Sequence, residues 1–298
     1  MRAFVTGGHG FVGRFLCAHL ADHGDEVIAP HADEVDVTDG VAVRKALEQA
    51  EPHAVYHLAG VASVAESWRD PTGVFAVNAG GTVAVLDAAR ALPRPPRVLV
   101  VSSAEVYGKV PSEALPITEE QPYAPVTPYA AAKAAAELAA VQAHLGWELP
   151  VVRARPFNHI GPGQSPEFAV AAFARRIVEA VESGAPSLRV GNLSARRDLT
   201  DVRDVVRAYR LLVLHGAPGE AYNVCSGQDV AMEEVVRRLL QAAGAELDVE
   251  VDPALLRPVD LPVLRGDARK LHAATGWTPE VALDRTLADV VDATRGPR

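Results

Sequence analysis

The chain has 298 residues, of which 49% are hydrophobic and 22% charged, a composition typical of a folded globular protein rather than a disordered one. Its net charge of −9 provides no positive field for a phosphate backbone, so we expect no nucleic-acid partner. Two cysteines, Cys17 and Cys225, are too few for a disulfide framework or a four-thiolate metal site. We therefore expect a cytoplasmic protein with no metal. Because no run of about 18 uninterrupted apolar residues occurs, we also expect no membrane partner.

Short apolar runs alternate with helical patterns through the first half of the chain. In chain order we predict strand Arg2–Thr6, helix Phe11–His23, strand Glu26–Ala29, helix Val41–Gln49, strand Ala54–Leu58, helix Thr72–Leu92, strand Arg97–Ser102, helix Pro128–Leu145 and strand Leu149–Arg155. Repeats of this length imply parallel strands joined by right-handed crossovers. The pattern predicts an α/β fold with a doubly wound parallel sheet of the Rossmann type over residues 1–158.

The pattern changes after Pro156. We predict a loop over Asn158–Pro166, helices over Glu167–Glu182, Leu199–Leu214 and Met232–Ala243, and a strand at Ala221–Val224. The remainder carries prolines and short elements. This pattern indicates a smaller C-terminal α/β domain over residues 159–298, with Leu199–Val224 returning to the first sheet.

A glycine-rich segment, Thr6–Gly13, joins the first strand to the first helix. Gly7 permits a tight turn, Gly10 lets the backbone approach a pyrophosphate, and Gly13 lets the helix lie against the strand. The amides at the start of the helix, at Phe11 and Val12, then face the phosphates. Glycines alone also make ordinary turns, but the strand–turn–helix context predicts a dinucleotide site.

The preference for NAD or NADP is open. The second strand ends in Ala29–Ala32 (Ala-Pro-His-Ala), which contains neither the acidic residue typical of NAD sites nor a basic one. Asp36, followed by Val37, is a candidate for the adenine amine. The alternative, a helix N-cap region formed with Thr38 and Asp39, fits the same residues equally well.

Tyr129 and Lys133 lie four residues apart at the start of a predicted helix, so their side chains share one face. Ser102 and Ser103 follow a neighbouring strand, at the edge where open α/β sheets bind ligands. We expect the lysine ammonium to lower the pKa of Tyr129 enough for proton exchange with a carbonyl, while Ser103 hydrogen-bonds the same oxygen. An exposed helix face explains many such pairs, but the glycine segment upstream favours catalysis.

These motifs resemble the extended short-chain dehydrogenase/reductase superfamily. The similarity includes the Thr6–Gly13 segment, HLAG at His57–Gly60, NAGGT at Asn78–Thr82, SSAEVYG at Ser102–Gly108 and YAAAK at Tyr129–Lys133. The resemblance implies a site for NAD(P)H bordered by Leu58, Ala59, Gly60, Ser102, Tyr129, Lys133 and Pro156. In it, Lys133 also holds the nicotinamide ribose. It further implies a homodimer formed through the helices at Thr72–Leu92 and Pro128–Leu145.

The second half resembles the GDP-sugar branch of this superfamily, in Arg155–Gln164, Gly191–Tyr209 and Tyr222–Gly227. The resemblance implies a reductase that delivers hydride from NAD(P)H to the C4 ketone of GDP-4-keto-6-deoxy-mannose, giving GDP-rhamnose, with Tyr129 protonating the oxyanion. The implied substrate contacts are Ser103, Glu105, Asn158, Arg197 and Arg257. An exposed ion pair with Asp198 is an alternative role for Arg197.

Glu105 leaves the reaction class open. A glutamate two residues beyond Ser103 resembles the GDP-mannose 4,6-dehydratases, in which it abstracts a proton, so a dehydratase or another nucleotide-sugar epimerase is the alternative reading. The arginine-rich phosphate loop of those dehydratases is missing near the second strand. A non-catalytic dinucleotide-binding redox sensor is less favoured, because a binding module has no need of an acid–base pair.

Overall fold

A six-stranded parallel sheet lies at the centre of the computed structural model, which describes residues 1–255 and 261–296. The strand order is β2–β1–β3–β4–β5–β9, and every neighbouring pair is parallel. The strands are β1 (Arg2–Thr6), β2 (Glu26–Ile28), β3 (Ala54–His57), β4 (Arg97–Val101), β5 (Val151–Pro156) and β9 (Ala221–Val224). This confirms the predicted doubly wound sheet.

The strand order reverses direction between β1 and β3. Connections at such a switch point leave the sheet on opposite faces, and the crevice between them is where open α/β sheets bind ligands. The glycine segment follows β1, and Leu58–Gly60 follows β3. The fold therefore brings two predicted cofactor segments to the same crevice.

Helices cover both faces of this sheet. Helices α1 (Phe11–Asp22) and α8 (Val202–His215) pack on one face, and α2 (Gly40–Ala50), α5 (Gly81–Arg90) and α6 (Pro128–Trp147) pack on the other. Successive β1 residues alternate between the two cores: Ala3 and Val5 pack with the first pair of helices, whereas Phe4 packs with the second group. The sheet is buried on both sides, as its apolar strands predict.

The predicted helix Thr72–Leu92 is confirmed as a continuous helical stretch over Pro71–Arg90, with a π-helical turn inside it. The structure has α3 (Val64–Arg69), α4 (Pro71–Phe75), a π-helical turn at Ala76–Gly80 and then α5. Asp70 caps α4 by accepting a 2.9 Å hydrogen bond from Gly73 N. The π turn carries the buried side chain of Asn78, which binds the backbone of Val61. A wide turn is typical of places where function overrides helical regularity.

The same stretch, Pro71–Arg90, is long and apolar enough to cross a membrane by length and composition, alone among the described residues. It contains Asn78 and Asp87, so uninterrupted apolar runs did not reveal it. Its α5 portion packs against α2 and α6. A core helix with one apolar outer face passes the same test, and we interpret the stretch in that way.

The predicted helix Leu199–Leu214 begins too early. Strand β8 (Arg196–Asp201) occupies its first residues, and α8 begins at Val202. Asp201 ends the strand and caps the helix by accepting a hydrogen bond from Arg203 N at 2.8 Å. The strand forms because three partners pair with it, and those partners are distant in sequence.

The rest of the chain forms a smaller α/β layer beside the carboxyl edge of β5. Strands β6 (Asn158–Ile160), β10 (Asp229–Ala231) and β12 (Val263–Leu264) pair with β8, while β7 (Ser187–Val190) pairs with β11 (Asp248–Val251). Helices α7 (Ala169–Ser183), α9 (Met232–Ala243) and α11 (Leu283–Arg295) share an apolar cluster, and α10 (Arg269–Thr275) contacts α8. The sequence patterns did not predict α11 or the short strands.

Candidate active site

The glycine segment forms a tight turn directly against the loop that follows β3. Gly7 has φ +71°, and a Cβ there would lie 2.8 Å from the backbone nitrogen of Ala59. At Gly13 a Cβ would lie 2.1 Å from the carbonyl oxygen of Gly7. We expected Gly13 to let the helix approach the strand, but the element that it allows to come close is the glycine turn itself.

Helix α1 begins at this turn without a side-chain cap. Its N-cap is Gly10, so the N–H groups of the first turn are left for a ligand rather than for a side chain. The loop after β5 borders the same end of the helix: the rings of Phe11 and His159 are nearly parallel with centroids 6.3 Å apart, and Arg14 donates to the carbonyl of Gly163. This cradle fits the pyrophosphate of a dinucleotide.

The carboxyl ends of β3, β4 and β5 place further predicted cofactor residues beside the glycine turn. Ser102 follows β4, and its buried hydroxyl has no hydrogen-bond partner in the structure. Pro156 ends β5 and is buried. A buried orphan hydroxyl costs free energy unless a ligand satisfies it, so Ser102 fits a contact with the absent cofactor.

Helix α6 presents Tyr129 and Lys133 to this crevice. Thr127 caps the helix by accepting a 3.1 Å hydrogen bond from Ala130 N, and Pro128 occupies the first turn. These two residues fix the helix start, which places Tyr129 at its first turn. Tyr129 shares a hydrogen bond with Ser103. The helix and the end of β4 therefore bring together the predicted acid–base residue and its serine partner.

The expected lowering of the Tyr129 pKa is wrong for this structure. Burial raises the pKa of Tyr129 to about 12; the hydrogen bond with Ser103 opposes that rise, and the carboxylate of Glu105 adds to it. The ammonium of Lys133 donates instead to the carbonyl of Val101 at 3.0 Å. A phenol with this pKa keeps its proton at neutral pH, which is the state that a proton donor needs.

Lys133 is buried, and burial lowers its pKa to about 8, while Glu137 one turn further along α6 raises it. It therefore remains largely an ammonium at pH 7. A buried ammonium beside the crevice can donate to ribose hydroxyls. The site thus has two hydrogen-bond donors: Lys133, which is bound to the backbone of β4, and Tyr129, which lies beside Ser103.

Glu105 lies in the short 3₁₀ turn Ala104–Tyr107 that follows Ser103. Ser103 Oγ accepts a 3.2 Å hydrogen bond from Glu105 N, so the turn also orients the serine. The charge of its carboxylate adds to the rise in the pKa of Tyr129. A role for Glu105 in the site stays a prediction.

A buried histidine under the site was missed by sequence reasoning. His57, at the end of β3, is linked through Nδ1 to Thr6 Oγ1 (2.8 Å) and through Nε2 to Thr82 Oγ1 (3.0 Å). Thr6 Oγ1 also accepts from Ala59 N at 3.2 Å, and the Thr82 hydroxyl donates to the carbonyl of Asn78 at 2.6 Å. The Thr82 hydroxyl proton is used on Asn78, so His57 Nε2 donates to Thr82. Burial, together with the charge of Lys133, lowers the pKa of His57 to about 3, so the ring is neutral and its Nδ1 accepts from the Thr6 hydroxyl.

The same chain of hydrogen bonds continues to the loop that faces Lys133. Asn78 donates to the Val61 carbonyl at 3.0 Å and accepts from its N–H at 2.8 Å. A Cβ on Gly60 would lie 2.7 Å from Asn78 Oδ1 and 3.4 Å from Lys133 Nζ. The motifs HLAG and NAGGT signalled both segments, but the sequence did not show that they touch.

Asp36 takes part in a turn. Its Oδ1 accepts from both the N–H and the hydroxyl of Thr38, each at 2.8 Å, and these hydrogen bonds lower its pKa. The N-cap of α2 is Asp39, which accepts from Val41 and Ala42. The neighbouring Val37 is buried. Of the two readings left open, this geometry favours the helix N-cap region over an adenine contact.

The predicted substrate residues lie on the far side of the crevice. Asn158 is exposed at the start of β6, opposite Leu199 of β8. Arg197 donates to the carbonyls of Arg196 (2.9 Å) and Leu261 (2.7 Å). Arg257 lies outside the described residues.

Asp198, the alternative partner considered for Arg197, is fully buried. It accepts hydrogen bonds from Ser226, Gly227 and Gly266. Its carboxylate therefore fastens two loops to β8.

Across residues 1–255 and 261–296, no group of three or more histidine, cysteine, aspartate or glutamate side chains is arranged to hold a metal ion. Both cysteines are free thiols, Cys17 partly buried and Cys225 buried.

The crevice, the cradle for a pyrophosphate and the serine–tyrosine–lysine group define a class of protein. It is an NAD(P)-dependent oxidoreductase of the extended short-chain dehydrogenase/reductase type, the class implied by the sequence motifs.

Comparison with known proteins narrows this class. The family model for GDP-mannose 4,6 dehydratase matches residues 30–290, and the chain belongs to this family. It is 40% identical to the GDP-6-deoxy-D-mannose reductase of Pseudomonas aeruginosa, over 97% of this chain and 96% of that protein.

Solved structures of similar fold support the same class of protein. The RMD protein of Pseudomonas aeruginosa, in complex with NADPH, superposes with a TM-score of 0.91 at 38% identity and 98% coverage of both chains. The UDP-glucose 4-epimerase of Thermus thermophilus, in complex with NAD, gives a TM-score of 0.89 at 32% identity and 99% coverage of both. Of these two structures, the first contains NADPH and the second NAD.

Proposed function

We propose that this protein reduces the C4 ketone of GDP-4-keto-6-deoxy-mannose with NAD(P)H, giving GDP-rhamnose. The observation that carries the proposal is the hydrogen-bonded pair of Ser103 and Tyr129, whose phenol holds its proton at neutral pH. The 40% identity to a GDP-6-deoxy-D-mannose reductase over nearly the whole chain supports the substrate class.

The residues divide the reaction between binding and proton transfer. When bound, NAD(P)H supplies the hydride that reaches C4 of the sugar. Ser103 hydrogen-bonds the ketone oxygen and orients it toward Tyr129, which passes its phenolic proton to that oxygen as negative charge develops there. Lys133, held by the carbonyl of Val101, binds the nicotinamide ribose.

The substrate side of the site is the layer built on β8. We assign the sugar nucleotide to Asn158, Arg197 and Arg257, because the first two lie on adjacent strands, β6 and β8, beside the crevice. A guanidinium suits a diphosphate because it offers two parallel donors.

Glu105 supports a second candidate, a GDP-mannose 4,6-dehydratase. It lies in the 3₁₀ turn Ala104–Tyr107 that directly follows Ser103, and its charge raises the pKa of Tyr129, so in this candidate it removes a proton from a bound sugar. In the reductase reading the same carboxylate only orients substrate.

A paired assay separates the two candidates. One reaction contains GDP-4-keto-6-deoxy-mannose with NAD(P)H and the other GDP-mannose with NAD(P)⁺, with chromatography of both products. Consumption of reduced cofactor with the keto sugar alone supports the reductase. A 4-keto-6-deoxy product from GDP-mannose, with no net change in cofactor, supports the dehydratase. The variant Glu105→Gln is expected to retain most reductase turnover but to lose dehydratase turnover.

For the domain organisation, we propose a Rossmann part of residues 1–158 with Leu199–Val224, and a substrate part formed by the rest. The support is that β9 extends the central sheet and α8 covers it. Strands β6, β7, β10, β11 and β12 pair only with one another and with β8 in the described chain.

We also propose a cytoplasmic homodimer formed through the outer face of α4, α5 and α6. Phe75, Val83 and Leu138 on this face are 40%, 47% and 56% exposed. Small residues, Ala131 and Ala135, lie on the same side of α6 as Leu138, so a second helix pair can approach closely.

A further inference from the structure

Two histidine rings are stacked at the adenosine end of the crevice. His31 follows β2 at the place where NAD-binding folds carry an acidic residue, and His9 lies within the glycine turn. Their ring centroids are 3.5 Å apart and their planes differ by 12°. Both residues are exposed. The stacked pair therefore joins the glycine turn to the end of β2, and these are the two segments that surround an adenosine ribose in this fold.

The backbone fixes both members of the pair. His9 Nε2 donates to the carbonyl of Ala29 at 2.9 Å, because a carbonyl oxygen only accepts; its Nδ1 is the remaining ring nitrogen. The N–H of His31 donates to Glu34 Oε2 at 2.9 Å. A Cβ on Gly8 would lie 2.6 Å from Ala29 Cβ, so the glycine turn lies directly against the end of β2. These contacts hold both histidines in place, and none of the hydrogen bonds uses a ring atom of His31.

We propose that His9 and His31 bind the 2′-phosphate of NADP(H), which makes this chain prefer the phosphorylated cofactor. The inference rests on the proposed function in one respect, that the glycine turn holds a dinucleotide. A phosphate beside an imidazole favours the imidazolium form, whose ring N–H groups donate charge-assisted hydrogen bonds to phosphate oxygens. Two stacked rings offer such donors side by side.

Acidic residues close to the pair define the rival reading. Asp33, Glu34 and Asp36 all follow His31, and a carboxylate there would bind the 2′-hydroxyl of NAD and repel a phosphate. One oxygen of Glu34 is already engaged by the His31 N–H, and Asp36 Oδ1 accepts two hydrogen bonds from Thr38. These contacts direct those carboxylate oxygens toward the backbone, which leaves the rings as the groups that meet the phosphate.

Nucleotide binding to the purified protein, without any sugar, tests this inference. The probes are adenosine 2′,5′-bisphosphate and adenosine 5′-monophosphate, measured by calorimetry. The wild type is expected to bind the bisphosphate at least about tenfold more tightly, the size of one hydrogen bond to a charged group. His9→Ala and His31→Ala are expected to abolish most of that preference and leave 5′-monophosphate binding unchanged.

The chain offers a matched control and a charge variant. His23 is an exposed histidine at the other end of α1, and its ring is tilted by 49° against that of His19, with centroids 4.2 Å apart; His23→Ala should keep the wild-type preference. Glu34→Gln should leave or strengthen bisphosphate binding, because it removes a nearby negative charge. Circular dichroism checks that each variant is folded.

The possible binding results distinguish a failure of this inference from a failure of the proposed function. Equal binding of the two probes by the wild type overturns this inference alone, as does an unchanged preference in both histidine variants. A loss of 5′-monophosphate binding in Glu34→Gln shows that the glutamate binds the ribose hydroxyl, which also overturns it. Binding of neither probe overturns the proposed function and, with it, this inference.

Discussion

The guanidinium of Arg155 donates hydrogen bonds to the carboxylate of Glu137 from Nε to Oε1 and from Nη2 to Oε2, both at 2.9 Å. Both side chains are buried. Arg155 lies on β5 and Glu137 one turn beyond Lys133 on α6, so the pair joins the central sheet to the catalytic helix. The hydroxyls of Tyr107 and Tyr123 accept further hydrogen bonds from Arg155 at 2.9 and 2.8 Å.

Removing one partner of this buried ion pair should lower the free energy of unfolding strongly. Glu137→Gln leaves a buried guanidinium without its counter-charge, and we expect the free energy of unfolding to fall by about 3–5 kcal/mol. Equilibrium denaturation measures the loss. The exposed pair of Arg175 and Glu179, 3.2 Å apart on α7, is the matched control, and Glu179→Gln should cost less than about 1 kcal/mol. Equal costs for the two variants would contradict this reading.

His57 predicts a pH dependence of stability. Burial, together with the charge of Lys133, lowers its pKa to about 3, whereas the unfolded chain has the ordinary value of 6.5. Between these values the unfolded state binds a proton that the folded state does not. His57 therefore makes stability fall as pH decreases from 6.5 toward 3, by up to about 1.4 kcal/mol per pH unit.

The variant His57→Gln tests this. Its unfolding free energy, measured by denaturant titration from pH 7 to 4, should depend less steeply on pH than that of the wild type. His23→Gln, at an exposed site, should keep the wild-type slope. An unchanged slope in His57→Gln would show that His57 is protonated in the folded protein, against the hydrogen bonding described here.

Tyr129→Phe removes the proposed proton donor and little else, because the ring stays in place. We expect kcat to fall by about 10²–10⁴-fold, the usual contribution of general acid catalysis, with NADPH affinity nearly unchanged. Stopped-flow oxidation of NADPH and direct binding measure the two quantities. Turnover at the wild-type rate would remove the mechanism proposed for this site.

Gly13→Ala should damage the nucleotide site through steric conflict. The new Cβ would lie 2.1 Å from the Gly7 carbonyl and 2.6 Å from Gly8 Cα, both of them backbone atoms. We expect a loss of about 1–3 kcal/mol in stability and a clear loss of NADPH affinity. Gly40→Ala is the control, since its nearest neighbour would be Ala84 Cβ at 3.9 Å. Isothermal titration and thermal unfolding compare the two variants.

Leu138→Glu tests the proposed dimer. A charge at the centre of the outer face of α6 should shift the protein from dimer to monomer in sedimentation velocity, without loss of fold. Leu145→Glu changes a leucine at the far end of the same helix that is even more exposed, 75% against 56%, and it should have a smaller effect. A wild type that sediments as a monomer at all concentrations would contradict the proposal.

Local patterns predicted the central sheet well. Strands β1, β3, β4, β5 and β9 and the helices between them came from apolar runs and helical spacing that need only nearby residues. The cofactor turn and the Tyr129–Lys133 spacing are local in the same sense. The last residues of β8, Leu199–Asp201, were predicted as helix, because the pairing partners of that strand, β6, β10 and β12, are distant in sequence. The π turn at Ala76–Gly80 likewise depends on Asn78 reaching Val61.

Glycine spacing and a four-residue helical interval act locally, so the fold class, the place of the nucleotide turn and the candidate acid–base residues could all be predicted from the sequence. The protonation state of those residues depends on tertiary packing. Burial raises the Tyr129 pKa and lowers those of Lys133 and His57, and burial is a property of the whole packed chain. The stacking of His9 on His31 and the ion pair of Arg155 with Glu137 also depend on tertiary packing, because each pair joins segments that meet only when the sheet has formed.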